Sequence, residues 1–231
     1  HTAYRRQRQM CIRDSFKALL EGYDWLHLSG ITPALSSSCQ ILIEAAIYAA
    51  RQLGMTISFD CNYRSMLWSF DEARDIISRY LPYVDVLIGI EPLHLQDENG
   101  HDLKDGMSMQ PDYEEQDRIF QAMADRYHFK AIARHVRYTH SSSENSLKAY
   151  LYYNGQTYES KLFRFQILDR VGGGDAFSSG LIYALMNNYK PRDVVNFAVA
   201  SSVMKHSIHG DTNITDVESI QRLMNLSLIH I

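Results

Sequence analysis

At roughly 150 residues per domain, 231 residues suffice for one large domain or a piece of something longer. Hydrophobic residues at 45% and charged residues at 22% exclude a disordered or collagen-like chain, and no apolar run approaches the roughly 18–20 residues of a membrane helix. With 23 Lys+Arg against 27 Asp+Glu, the net charge of −4 lacks the basic excess of a general nucleic-acid binder. Cysteines stand at 11, 39 and 61, an odd count without close pairing that points to the cytoplasm rather than to a disulfide framework or a zinc site. The opening HTAYRRQRQMCIRDS has no apolar core of a signal peptide. Its segment RQMCIRDS and the terminal LSLIHI read like translated adapter sequence, so residues 1–15 and 226–231 are expected to be non-native and 16–225 to form the domain.

Apolar strands and amphipathic helices alternate from Phe16 to Met224. Tyr23–Leu28 reads as a strand ending at Ser29-Gly30, with His27 a hydrogen-bonded core residue. Ser36, Ser37 and Ser38 offer caps for a helix through Ile41, Leu42, Ala45, Ala49 and Leu53 that Gly54 stops. Thr56–Phe59 is the second strand, Asp71–Tyr80 a helix capped by Ser69, and Val84–Ile88 the third strand. A polar excursion, Gln96–Pro111, precedes a helix over Tyr113–Tyr127 and a fourth strand over Lys130–Ala133. Arg134–Ser146 reads as a polar run, in which His135 and His140 match no trusted metal spacing. Leu147–Tyr153 and Thr157–Phe165 form a hairpin about Asn154-Gly155, and helices over Ala176–Met186, Pro191–His206 and Thr215–Met224 follow. Strands separated by helices imply a mostly parallel sheet covered on both faces, with ligands beyond the carboxyl ends of its strands.

The segment Asp169-Arg170-Val171-Gly172-Gly173-Gly174-Asp175-Ala176-Phe177 carries the chemistry. Three glycines let a ligand approach the backbone, and the free N–H groups of the helix they enter form an anion site. A carboxylate at that start, Asp175, is awkward beside an anion unless it takes a proton from a nucleophile attacking the anion. The other reading, open for a bare Gly-Gly-Gly-Asp, is a helix cap in an ordinary loop; Asp169 six residues earlier weighs against it. Past the second strand, Asn62 and Arg64 stand on the ligand edge. Arg64 could clamp a carboxylate in a bidentate fork, or pair with Asp60 and pack on Trp68.

The glycine segment resembles the signature Asp-x-x-Gly-x-Gly-Asp-x-Phe of the ribokinase-like (PfkB) sugar kinases, with Asp169, Gly172, Gly174, Asp175 and Phe177 all matching. Ser29-Gly30-Ile31-Thr32-Pro33, Asn62-Tyr63-Arg64 and Lys205-His206-Ser207-Ile208-His209-Gly210-Asp211 are similar to the 2-keto-3-deoxygluconate kinases of that family. The resemblance implies a three-layer α/β/α sandwich, here truncated at its N-terminus and without the β lid. It implies phosphorylation of 2-keto-3-deoxygluconate at its 6-position by ATP with Mg²⁺, with Asp175 the base and Gly172–Gly174 the anion hole. Arg64 and Asn62 would bind the sugar acid, Arg134 and Gly210 the nucleotide, and Asp169 a monovalent cation such as K⁺. Bland readings remain for three of these: a solvated loop charge at Arg134, a C-cap at Gly210 and a strand-terminal acid at Asp169. The partners implied are the sugar acid and ATP, no nucleic acid or membrane, and a second copy in the full-length protein. A kinase of a neutral ketose such as fructose, or a fragment that binds without catalysis, are the alternatives. The Asn-x-x-Glu of relatives is absent, Gly89-Ile90-Glu91 standing in its place.

Overall fold

A computed structural model describes residues 14–225; the expected extensions lie outside these residues, except that 14–15 open a helix, α1 (14–20). The described chain divides into two compact units, one of residues 14–105 and 122–132, the other of 106–121 and 133–225.

In the first unit, strands β1 (Trp25–Ser29), β2 (Thr56–Asp60) and β3 (Val86–Ile88) run parallel in that order. Leu26 lies opposite Ile57, and Phe59 opposite Leu87. Ile57, Phe59 and Leu87 are wholly buried, as strands of a parallel sheet between helices must be. After a single turn, α2 (Ile31–Leu35), helix α3 (Ser37–Gln52) begins where the Ser36 hydroxyl accepts the Cys39 N–H at 3.2 Å. Helix α4 (Phe70–Tyr80) begins the same way, with Ser69 accepting from Glu72 and two acids in the first turn. β1 starts two residues later than expected, and His27 is exposed rather than part of the core, because β1 is an edge strand; its Nδ1 still lies 2.8 Å from the Ser58 hydroxyl.

Asp85, just before β3, is buried and organises its surroundings. Its carboxylate accepts from the Ile57 N–H at 2.9 Å and pairs with Arg51 at 3.1 Å and Lys130 at 3.0 Å. The polar excursion is also tied down. Gln96 bridges to Asp102, and the buried Lys104 ammonium meets both Asp102 oxygens at 2.8 and 2.9 Å and the Leu93 carbonyl at 2.9 Å.

Helix α5 (Tyr113–Tyr127) and strand β4 (Ala131–Thr139) pass from one unit to the other. In the second unit, β5 (Glu144–Tyr153) pairs antiparallel with β6 (Gln156–Glu159) and with β7 (Phe163–Gln166). Asn154 at φ 50° and Gly155 at φ 83° form the two-residue turn their types demand. Two expectations are corrected here. Arg134–Ser146 is no loop, for β4 runs on to Thr139 and only 140–143 turn, closed by the His140 N–H on the Glu144 carbonyl. Its polar side chains belong to a strand, with Val136 buried and Arg137 exposed. Thr157–Phe165 is two strands rather than one, interrupted where Ser160 hydrogen-bonds Ala149 through both main chain and hydroxyl.

Helices α6 (Gly173–Met186), α7 (Pro191–Lys205) and α8 (Val217–Asn225) complete this unit. The middle of α7 is apolar nearly all round, from Val194 to Val203, and is accordingly buried. Gly180 of α6 brings the two helices close, since a Cβ there would stand 2.8 Å from that of Ser201.

Replacing Asp85 by alanine strands the buried Ile57 N–H and leaves two cations unpaired. Urea unfolding is expected to show a loss of about 2–4 kcal/mol; a loss under about 1 kcal/mol would show that the carboxylate is dispensable.

Candidate active site

Helix α6 begins within the glycine run, and the residue in the cap position is Gly172, not Asp175. Gly172 has φ 79°, a left-handed conformation that costs a residue with a side chain about 1 kcal/mol or more. No side chain caps the helix, and N–H groups of its first turn have no carbonyl partner within it. Asp175 is the third residue of that turn and is exposed. Among the described residues no Lys, Arg or His pairs with its carboxylate. The alternative of Asp175 as an ordinary helix cap is thus not what forms.

The glycines are needed for what lies beneath them. A Cβ on Gly172 would collide with the Asp211 carbonyl and approach the Lys205 Cε to 3.3 Å. One on Gly173 would stand 2.5 Å from the His206 ring, and the Gly173 carbonyl accepts the Ser202 hydroxyl at 2.8 Å. Gly174 differs: a Cβ there would meet nothing within 4 Å, so this glycine faces open space. One side of the turn is therefore packed and the other accessible.

Asp169 holds the approach to this turn. One carboxylate oxygen accepts the Val171 N–H at 3.0 Å and the other the Gly210 N–H at 2.8 Å. Those two bonds, the Val171 one first, hold its carboxyl below the ordinary range. Asp169 and Gly210, which the resemblance implies hold a monovalent cation and the nucleotide, are joined here by the Gly210 N–H hydrogen bond. Gly210, at φ 84°, is five residues beyond α7 rather than its C-cap, a position His206 takes.

His206 is a participant that sequence reasoning passed over. It is wholly buried, its ring centroid 4.9 Å from that of Phe165, and its carbonyl accepts the Leu168 and Asp169 N–H groups. Nδ1 lies 2.7 Å from the Ser202 carbonyl, which can only accept, so Nδ1 carries the hydrogen. Nε2 is buried without a hydrogen-bond partner, and burial lowers the pKa of the imidazole. Nearby His135, its ring 5.1 Å from that of Phe177, is pushed down to about 4, first by burial and then by Arg137 and Arg134. The signal in the sequence was a Lys-His pair closing an apolar helix, where a solvated end would be expected.

Arg134 lies within β4, not after it, a correction that follows from the length of that strand. Its guanidinium donates to the Gln116 side-chain oxygen at 3.0 Å, so it is no free loop charge. Asn62 and Arg64 belong to the first unit, two and four residues past β2. Asn62 has φ 37°; its main-chain N–H donates to Asp60 at 3.0 Å and its side-chain amide to Ser29 at 3.3 Å. Arg64 is exposed, its guanidinium reaching only the Tyr63 carbonyl at 3.4 Å, and it makes no ion pair with Asp60. In the same unit Glu91 lies 3.6 Å from Lys104, and burial raises its pKa. No group of three or more His, Cys, Asp or Glu able to hold a metal occurs among the described residues, nor a helix long and apolar enough to cross a membrane.

A glycine-rich strand-to-helix turn on an α/β fold is the arrangement that the sugar-kinase signature in the sequence leads one to expect. The model of the pfkB family of carbohydrate kinases matches residues 2–217, and the chain belongs to that family. A 2-dehydro-3-deoxygalactonokinase of Haloferax volcanii is 26% identical over 198 residues, covering 86% of this chain and 56% of that protein. A 2-dehydro-3-deoxygluconokinase of Thermoproteus tenax is 27% identical over 203 residues, covering 86% and 54%. The crystal structure of a 2-dehydro-3-deoxygluconokinase of Thermotoga maritima superposes with a TM-score of 0.81 at 31% identity, over 92% of this chain and 63% of that one. The chain thus spans about half the length of these curated relatives.

The two sides of the turn make opposite demands on an added methyl group. Gly173→Ala is expected to destabilise the chain by about 1–3 kcal/mol through its clash with His206, whereas Gly174→Ala leaves the Tm within about 2 °C. Thermal unfolding of both variants checks this, and equal losses would remove the distinction.

Proposed function

We propose that the chain carries the phosphotransferase machinery of a kinase for 2-keto-3-deoxygluconate (2-dehydro-3-deoxygluconate), forming its 6-phosphate from ATP. The carrying observation is the exposed Asp175 carboxylate in the first turn of α6, beside the open face of Gly174. The reacting groups are the terminal hydroxyl of the sugar acid and the γ-phosphorus of ATP. Asp175 takes the hydroxyl proton as the new O–P bond forms, and the bond from that phosphorus to the bridging oxygen of ADP breaks. N–H groups of Gly172–Gly174 and the positive end of the α6 dipole stabilise the charge on the migrating phosphoryl oxygens. Mg²⁺ arrives with ATP and neutralises its phosphates.

A sugar acid differs from a neutral ketose by its carboxylate, and the exposed, unpaired Arg64 guanidinium, with Asn62 beside it in sequence, is the group assigned to bind it. Arg134 and Gly210 are assigned to the nucleotide. The similarity to kinases of 2-keto-3-deoxy sugar acids supports this substrate class.

Two variants test the assignments in a coupled assay of ADP release. Asp175→Asn is expected to lower turnover by about 10²–10⁴ with nucleotide affinity nearly unchanged; full activity would remove the base. For Arg64→Ala the expectation is a KM for the sugar acid raised about tenfold or more at similar kcat. Fructose accepted in preference to the sugar acid by the unaltered chain would transfer the site to a neutral ketose.

A further inference from the structure

Helix α7 ends on a lysine that a solvated helix end would leave in water. Lys205 is wholly buried, and its ammonium donates to the Ile208 carbonyl at 2.9 Å. Among the described residues the lysines found in ion pairs are Lys104, Lys130 and Lys148; Lys205 is in none. An ammonium has three hydrogens to place and strongly resists leaving water without a counter-charge. The carbonyls closing α7 offer a partial negative charge, but a lysine gains that interaction without being buried. Asp169, at the approach to this turn, already engages both oxygens with main-chain N–H groups, and the Lys205 charge adds only a smaller pull to theirs.

What lies next to the Lys205 stem is the glycine turn itself, its Cε 3.3 Å from the place a Cβ on Gly172 would take. The accessible side of that same turn is at Gly174, in the first turn of α6. His206 fills the adjoining floor under Gly173 with a neutral ring whose Nε2 is buried and unpartnered, so it adds no charge of its own. The backbone at Gly172–Gly174 thus separates a buried cation beneath Gly172 from the open side at Gly174, where the kinase reading puts the phosphates.

We propose that Lys205 is a positioning residue for phosphoryl transfer, a fixed positive charge beneath the Gly172–Gly174 cradle that compensates the phosphates of ATP through the backbone. This rests on the kinase reading above. It also replaces the monovalent cation that the family resemblance would bring to Asp169, since the positive charge at this turn is already covalently part of the chain.

The test measures the Kd of Mg²⁺-ATP by calorimetry for the unaltered chain, Lys205→Met and Lys205→Gln, in potassium chloride and in tetramethylammonium chloride. Glutamine keeps a donor for the Ile208 carbonyl but not the charge, so it separates the lost charge from the lost hydrogen bond. The unaltered chain is expected to bind ATP equally, within about twofold, in the two salts, and both variants to bind about tenfold or more weakly in tetramethylammonium. Variants that retain the original Kd overturn the role of Lys205, as does an unaltered chain that binds ATP only in potassium. The salt comparison needs no substitution, so it stands even if both variants fail to fold. An unaltered chain that binds ATP in neither salt overturns the kinase reading itself and this inference with it.

Discussion

The start of helix α6 can rest on the end of α7 only because residues 172 and 173 have no side chains. Beneath them lie the Asp211 carbonyl and the His206 ring, each at a distance that a methyl group would violate, and the Lys205 stem in tight contact. That close seating leaves Gly174 and Asp175 on the accessible side. Asp169 then ties the approach to the turn to Gly210, and the His206 carbonyl takes the two N–H groups just before it. The packed glycines, the exposed carboxylate and the buried lysine all lie where α6 is seated on the end of α7.

Among the described residues three charged side chains are buried, Asp85, Lys104 and Lys205, and they are compensated in different ways. Asp85 receives a main-chain N–H and two cations, which accounts for its burial within the first unit. Lys104 meets both oxygens of Asp102 and a carbonyl, and so pins the polar excursion after β3. Lys205 meets one carbonyl and no carboxylate at ion-pair distance among the described residues. A buried charge with its partners present is part of the scaffold; one whose partner is missing points to a ligand.

Membership of the pfkB family rests on a match over residues 2–217, whereas the choice of substrate rests on relatives near one quarter identical across about half their length. In the proposed function the glycine turn and Asp175 are assigned to the reaction and Arg64 to the substrate, so the two assignments are tested separately. In the proposed reading, catalytic chemistry and specificity are assigned to different elements.

Some of this was legible in short stretches of chain. Ser36 and Ser69 announced their helices because a capping hydroxyl acts within three residues, and Asn154-Gly155 announced its turn because both residues accept positive φ. The signature from Asp169 to Phe177, whose bond from the Val171 N–H to Asp169 is local, was readable as a family resemblance. The full length of β4, the break at Ser160 and the exposure of His27 were not, because each depends on which strand lies alongside. Nor could any local pattern show that Lys104, Lys205 and His206 are buried, since a residue's distance from water is set by segments remote in the chain. Periodicity and turn chemistry are properties of neighbours in sequence; burial and the partners of a charge are properties of neighbours in space.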